Sequence, residues 1–177
     1  MFSIPFQSNV IGFLYILSFK VVHFEHVFMM MLFRANSLAK GFSGCRVEIV
    51  ELLLSFINLR IAPVVPRIGS LGASGDLAPL AHMSLPIIGE GELEYHGKIQ
   101  NSQTVLRKYK LDKINLAPKE GLALINGTQY MLASFVNSVL HSYNLSKLAD
   151  HISSVSIDSY NCSLHPFSPL VGSVRIT

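Results

Sequence analysis

Apolar side chains recur at helical spacing through residues 21–39 and again through 46–58. In the second stretch Val47, Val50, Leu53, Leu54 and Ile57 fall on one stripe, with Glu48 and Glu51 outside it, as a helix lying on a core requires. Gly41, Ser43 and Gly44 supply the turn between the two. Pro63 and Pro66 exclude a helix across Ile61 to Arg67. A glycine-rich loop follows, Gly69-Ser-Leu-Gly-Ala-Ser-Gly-Asp. Leu77 to Ile88 is apolar and predicts a helix with Asp76 as its N-cap, Pro79 in its first turn and Gly89-Glu-Gly as its end. Glu92 to Lys98, centred on Tyr95-His-Gly, predicts a small hairpin, and Gln103 to Tyr109 a short helix. Pro118-Lys-Glu-Gly opens a long apolar stretch from Leu122 to Leu140, and Leu145 to Ile157 predicts a further helix. The expected fold is mainly α, with polar chemistry carried by loops and no internal repeat.

Composition sharpens this. Of 177 residues, 50% are hydrophobic and 14% charged, which is apolar for a chain able to bury only one domain-sized core. Such a chain is either a membrane protein, using residues 9–33, or a piece of an assembly whose interfaces lie elsewhere. Val10 to Phe19 and Val27 to Phe33 are nearly continuous apolar runs, but Lys20, His23, Glu25 and His26 divide them. Neither run reaches the ~20 residues a span needs, so buried helix is the expectation and no membrane partner is assigned. Met1 to Asn9 carries no positive side chain, against a signal peptide. The net charge of +3 is scattered, which excludes a nucleic-acid surface. Cys45 and Cys162 lack metal or CxxC spacing and read as buried free thiols in a reducing compartment. His23, His26, His96, His141, His151 and His165 show no paired ligand spacing, so no metal is expected, and His82 reads as a packed histidine. Asn126-Gly-Thr, Asn144-Leu-Ser and Asn161-Cys-Ser fit the glycosylation pattern, which is frequent by chance.

The loop at residues 69–76 is where chemistry concentrates. A phosphate loop needs Gly-Lys-Ser/Thr, and Asp76 stands where the cation belongs. A nucleophile elbow needs Gly-x-Ser-x-Gly, and here Asp76 occupies the final position. On residue types alone, an ordinary glycine-rich turn before a capped helix stands beside a catalytic loop.

Gly69-Ser-Leu-Gly-Ala-Ser-Gly-Asp-Leu-Ala-Pro-Leu-Ala-His82 resembles the active-site segment of the histidine and phenylalanine ammonia-lyases. Arg34-Ala-Asn-Ser-Leu-Ala-Lys-Gly-Phe-Ser-Gly44 resembles an upstream segment of that family, and Lys119-Glu-Gly-Leu-Ala-Leu-Ile-Asn-Gly-Thr-Gln129 a downstream one, in the family's order. Pro166-Phe-Ser-Pro is loosely similar to a further segment. The resemblance implies a partial ammonia-lyase domain of the fumarase/aspartase-like helical fold. Residues 1–30 are its divergent start, 31–129 its best-matching part with the loop at 69–76, and 130–177 the start of a helical bundle. It further implies that Ala73, Ser74 and Gly75 cyclise without help to 4-methylidene-imidazol-5-one, with no external cofactor. Asp76 would assist that cyclisation, and Asn126 would contact both the prosthetic group and the substrate. Small neighbours suit the chemistry, because Gly75 must bend until its nitrogen reaches the Ala73 carbonyl.

The implied reaction is elimination of ammonia from an aromatic L-amino acid, in a cytoplasmic homotetramer. The family's tyrosine base lies upstream of the segments matched here, and its Tyr, Arg and Glu substrate contacts lie downstream of Thr177. The chain therefore reads as a fragment that does not turn over alone, or as a remnant that only associates with complete subunits. Pro79-Leu-Ala-His82 and Asn126-Gly-Thr-Gln129 are the forms of the histidine branch, so histidine to urocanate is the favoured reaction. Phe13 and Leu14, where Phe6-Gln-Ser-Asn-Val-Ile-Gly resembles the substrate-selecting segment, are the doublet of phenylalanine enzymes and point to cinnamate instead. An apolar pair would leave imidazole nitrogens unpaired, at roughly 1–3 kcal/mol per buried group.

Overall fold

The computed structural model describes residues 21–174. Phe13, Leu14 and the apolar run Val10 to Phe19 lie outside the described residues. The chain divides into two compact units, Met1–Phe135 and Val136–Thr177.

In the first unit, helix α1 (Phe24–Ala39) packs against α2 (Val47–Asn58). The Val27 to Phe33 run is part of α1, which buries Val27, Met30, Met31, Ala35 and Leu38 on one side. The core-facing stripe of α2 differs from the expected one: Ile49, Leu52, Leu53 and Phe56 are buried, whereas Val47 is 67% exposed and Leu54 is exposed too. Apolar residues cover more than half of this helix's circumference, so periodicity reported a helix but left its rotation open. Gly41 and Gly44, both at positive φ, flank the turn between the helices.

Strand β1 (Ile61–Pro63) is the edge of a three-stranded antiparallel sheet with β2 (Glu92–Tyr95) and β3 (Lys98–Asn101). The register pairs Ile61 with Tyr95 and Pro63 with Leu93. An edge strand tolerates Pro63, which has no N–H to donate to a ladder. The expected hairpin turns at His96 and Gly97, both at positive φ (49° and 70°), the signature of a type I′ connection. The helix expected across Leu77 to Ile88 is α3 (Leu77–Ser84) followed by a 3₁₀ turn, Leu85–Ile88. Pro86 cannot donate to the His82 carbonyl, and the α-helical ladder stops there. Asn101 caps α4 (Ser102–Tyr109), its side chain accepting from the Gln103 N–H at 3.0 Å. Met30, Met31, Leu53, Phe56, Ile61, Leu80, Met83, Ile87 and Leu93 form one continuous core across these elements. Each fully buried side chain of this kind contributes ~1.5–3 kcal/mol.

The apolar stretch from Leu122 to Leu140 is not one helix. It breaks into α5 (Glu120–Ile125) and α6 (Gln129–Ser159) at Asn126-Gly127-Thr128. The helix expected at Leu145 to Ile157 is not separate either but belongs to α6. Nothing between Leu140 and Leu145 breaks a helix, whereas Asn-Gly does. In the second unit α6 exposes Val139, Leu140, Leu145, Leu148, Ile152 and Val155. A 3₁₀ turn, His165–Phe167, and α7 (Pro169–Ser173) complete that unit. Both cysteines are free, but only Cys45 is partly buried; Cys162, just past α6, is exposed rather than buried. No helix among the described residues is long and apolar enough to cross a membrane.

Candidate functional site

The loop before α3 changes character within a few residues. Leu71, Gly72, Ala73 and Ser74 are exposed, and Gly75 and Asp76 are buried. Gly75 adopts φ 126°, and a Cβ there would stand 2.7 Å from the carbonyl oxygen of Gly127. No side chain fits, so the two backbones meet at a pair of glycines. Ser74 and Asn126, each one residue before a member of that pair, are both exposed.

Asp76 is 0% exposed; it stands at the N-cap position of α3 as expected, its carbonyl accepting from the Leu80 N–H at 3.0 Å, but its side chain makes no capping bond there. Its N–H donates to the Gly127 carbonyl at 2.7 Å. Its carboxylate faces away from α3: Oδ1 accepts from the Ser70 hydroxyl at 2.7 Å and Oδ2 from the Met131 N–H at 2.9 Å. Met131 lies in the first turn of α6, where backbone N–H groups have no partner within the helix and the dipole favours an anion. Asp76 therefore serves as the N-terminal acceptor of a helix distant in sequence. Sequence position alone favoured the adjacent helix, because the break that creates the start of α6 was not foreseen.

Asn126 leaves helical geometry at φ −89°, ψ 96° and ends α5. Its carbonyl accepts from Arg34 Nη2 at 3.1 Å, and the same nitrogen donates to the Ala123 carbonyl. Arg34 Nη1 donates to Gln129 Oε1 at 3.0 Å, while Nε is buried without an acceptor. The guanidinium is 3% exposed, and burial lowers its pKa to about 10, so it stays charged near neutrality. Ser70, Met131, Arg34 and Gln129 were not singled out from the sequence. The available signal was Arg34 on the buried face of α1, since a cation among Met30, Met31, Ala35 and Leu38 requires partners.

The start of α5 is held by a second ion pair. Glu120, 1% exposed, accepts from Arg46 Nε and Nη2 at 2.8 Å each, from the Arg46 N–H at 3.0 Å and from the Ala117 N–H at 2.6 Å. The Arg46 guanidinium holds its carboxyl down at about 2. His82 is buried in α3, and burial lowers its pKa to about 4, in keeping with a packed neutral ring. No group of three or more His, Cys, Asp or Glu among the described residues could hold a metal ion.

A sequence model of the family described as aromatic amino acid lyase matches residues 4–177. The chain is 46% identical over 151 residues to histidine ammonia-lyase 2 of Fusobacterium nucleatum, an alignment spanning 85% of this chain and 30% of that protein. Among solved structures, histidine ammonia-lyase from Trypanosoma cruzi superposes with a TM-score of 0.91 at 34% identity, over 97% of this chain and 34% of that one. Phenylalanine aminomutase of Pantoea agglomerans superposes with a TM-score of 0.91 at 31% identity, over 98% and 33%. The chain thus spans about 30% of the length of the Fusobacterium nucleatum relative.

Proposed function

Because the chain belongs to the aromatic amino acid lyase family, we propose that it is part of an ammonia-lyase whose electrophile forms from Ala73, Ser74 and Gly75. The observation that carries this reading is the Gly75–Gly127 contact, which holds a sharply bent loop with Ser74 exposed above the buried Asp76. The residues fit the group. Position 75 admits no side chain, position 73 bears only a methyl, and a carboxylate lies against the loop.

In this reading the Gly75 nitrogen attacks the Ala73 carbonyl carbon and closes a five-membered ring; the carbonyl oxygen leaves as water with the Gly75 and Ser74 N–H hydrogens, and a C=N bond forms between the Ala73 carbon and the Ser74 nitrogen. Ser74 then gives up its α-hydrogen and hydroxyl as a second water. Asp76 assists by accepting the proton that the Gly75 nitrogen releases. The resulting 4-methylidene-imidazol-5-one supplies an electrophile that no standard side chain offers. Asn126, exposed beside Gly127, would contact the group and the substrate. The substrate is an aromatic L-amino acid, with histidine favoured by the similarity to histidine ammonia-lyases. Phenylalanine is the second reading, favoured by Phe13 and Leu14. The apolar residues that α6 exposes support assembly with further helices; a cytoplasmic homotetramer is the assembly that the family resemblance implies.

The test is the mass of the proteolytic peptide containing Ser74. A deficit of two waters supports the reading, and an unmodified mass sinks the cyclisation. Mixing the chain with complete subunits of a relative and following urocanate against cinnamate release then decides the substrate.

A further inference from the structure

Arg34 is the one charged residue on the buried face of α1, and it reaches across the break that separates α5 from α6. Nη2 holds the Ala123 and Asn126 carbonyls at the end of α5, and Nη1 holds the Gln129 side chain at the first residue of α6. All three acceptors are neutral. The guanidinium thus satisfies the C-terminal carbonyls of one helix while anchoring the start of the next. Gly127 lies flush against this clamp, and a Cβ there would collide with the Arg34 guanidinium and the Gln129 amide.

The enclosed segment and the first turn of α6 just after it carry two backbone groups that hold Asp76. The Gly127 carbonyl accepts the Asp76 N–H and crowds Gly75, and the Met131 N–H, two residues after Gln129, donates to the Asp76 carboxylate. We propose that Arg34 is a positioning residue for the Ala73-Ser74-Gly75 loop, setting the Gly127 carbonyl and the Met131 amide against Gly75 and Asp76. Its importance for chemistry rests on the reading of that loop given above. The geometric part stands by itself.

The test is native-state amide hydrogen exchange on the full 177-residue chain, comparing wild type with Arg34→Lys and Gln129→Glu. A lysine ammonium keeps the charge but cannot span acceptors on two helices. Loss of such charge-assisted bonds is expected to speed exchange of the Asp76 and Met131 amides about tenfold. The Leu53 and Phe56 amides of α2 should keep their wild-type rates. Unchanged rates at Asp76 and Met131, or one uniform acceleration across all four, overturn the proposal. Gln129→Glu places a carboxylate against the guanidinium, and the Asp76 amide should then exchange more slowly. If Arg34→Lys does not fold, that variant decides, and an Asp76 rate equal to wild type overturns the proposal. The Ser74 peptide mass is read in parallel. Wild type without water loss, but with exchange at Asp76 controlled by Arg34, leaves the clamp standing and removes the proposed electrophile. Wild type with water loss, reduced in Arg34→Lys, links the two.

Discussion

Glu120→Gln isolates one charge in an otherwise unchanged shape. Four donors converge on the two carboxylate oxygens: the Arg46 N–H, Nε and Nη2, and the Ala117 N–H. A glutamine presents its own NH₂ to one pair of them and leaves that pair without an acceptor. The carboxyl titrates at about 2 in the fold against an ordinary 4.5. That difference is worth ~3.4 kcal/mol at most. Arg46 is 46% exposed in its side chain, so solvent screening reduces the expected contribution to about 2 kcal/mol. A depressed carboxyl pKa stabilises the fold fully above pH 4.5, and the contribution is lost as pH falls toward about 2. Urea unfolding at pH 7 should therefore show Glu120→Gln less stable than wild type by about 2 kcal/mol. The gap should narrow steadily below pH 5 and close near pH 2, where the protonated wild-type carboxyl resembles the amide. A gap that is absent at pH 7, or equally large at both ends, would refute the reasoning. The ion pair matters beyond stability because it fixes the start of the short helix whose other end bears Asn126.

Further outcomes follow from the site. Gly75→Ala, which drives a methyl into the Gly127 carbonyl at a φ that favours glycine, should destabilise the fold by about 2–3 kcal/mol and leave the Ser74 peptide at full mass; water loss in that variant would contradict the contact. Ser70→Ala removes one donor to the buried Asp76 carboxylate and should cost about 1–3 kcal/mol in denaturant unfolding. The His82 ring, with its pKa lowered to about 4, should stay neutral at pH 6 in an NMR titration; a midpoint at the ordinary 6.5 would show that the ring is not buried. Since the folded value lies below the unfolded one, its stabilising contribution is present above pH 6.5 and is lost as pH falls toward 4.

Much of the architecture was legible before any coordinates. The spacing in residues 21–39 and 46–58 produced helices at Phe24–Ala39 and Val47–Asn58, and the punctuation at Gly41 and Gly44 and the Tyr95-His-Gly turn produced the turns they predict. What escaped was orientation and long-range partnership. The α2 stripe was rotated because too many of its positions are apolar to choose a side. The α5–α6 break was hidden inside an apolar run whose only marker was Asn126-Gly127. That omission propagated, since Asp76 could not be matched to the start of a helix that had not been recognised. Arg34 had a visible signal, a cation in an apolar stripe, but its acceptors lie on two elements far along the chain. Local propensity cannot encode such a partner.

The Gly75–Gly127 contact also orders events in time. Its two members are far apart in sequence, so the chain must first close a long loop and bring α5 and the start of α6 against α3. Until then nothing crowds Gly75, and the segment before Asp76 samples the broad conformations of any glycine-rich stretch. Any covalent change that depends on that bend therefore dates from after the docking, not before it.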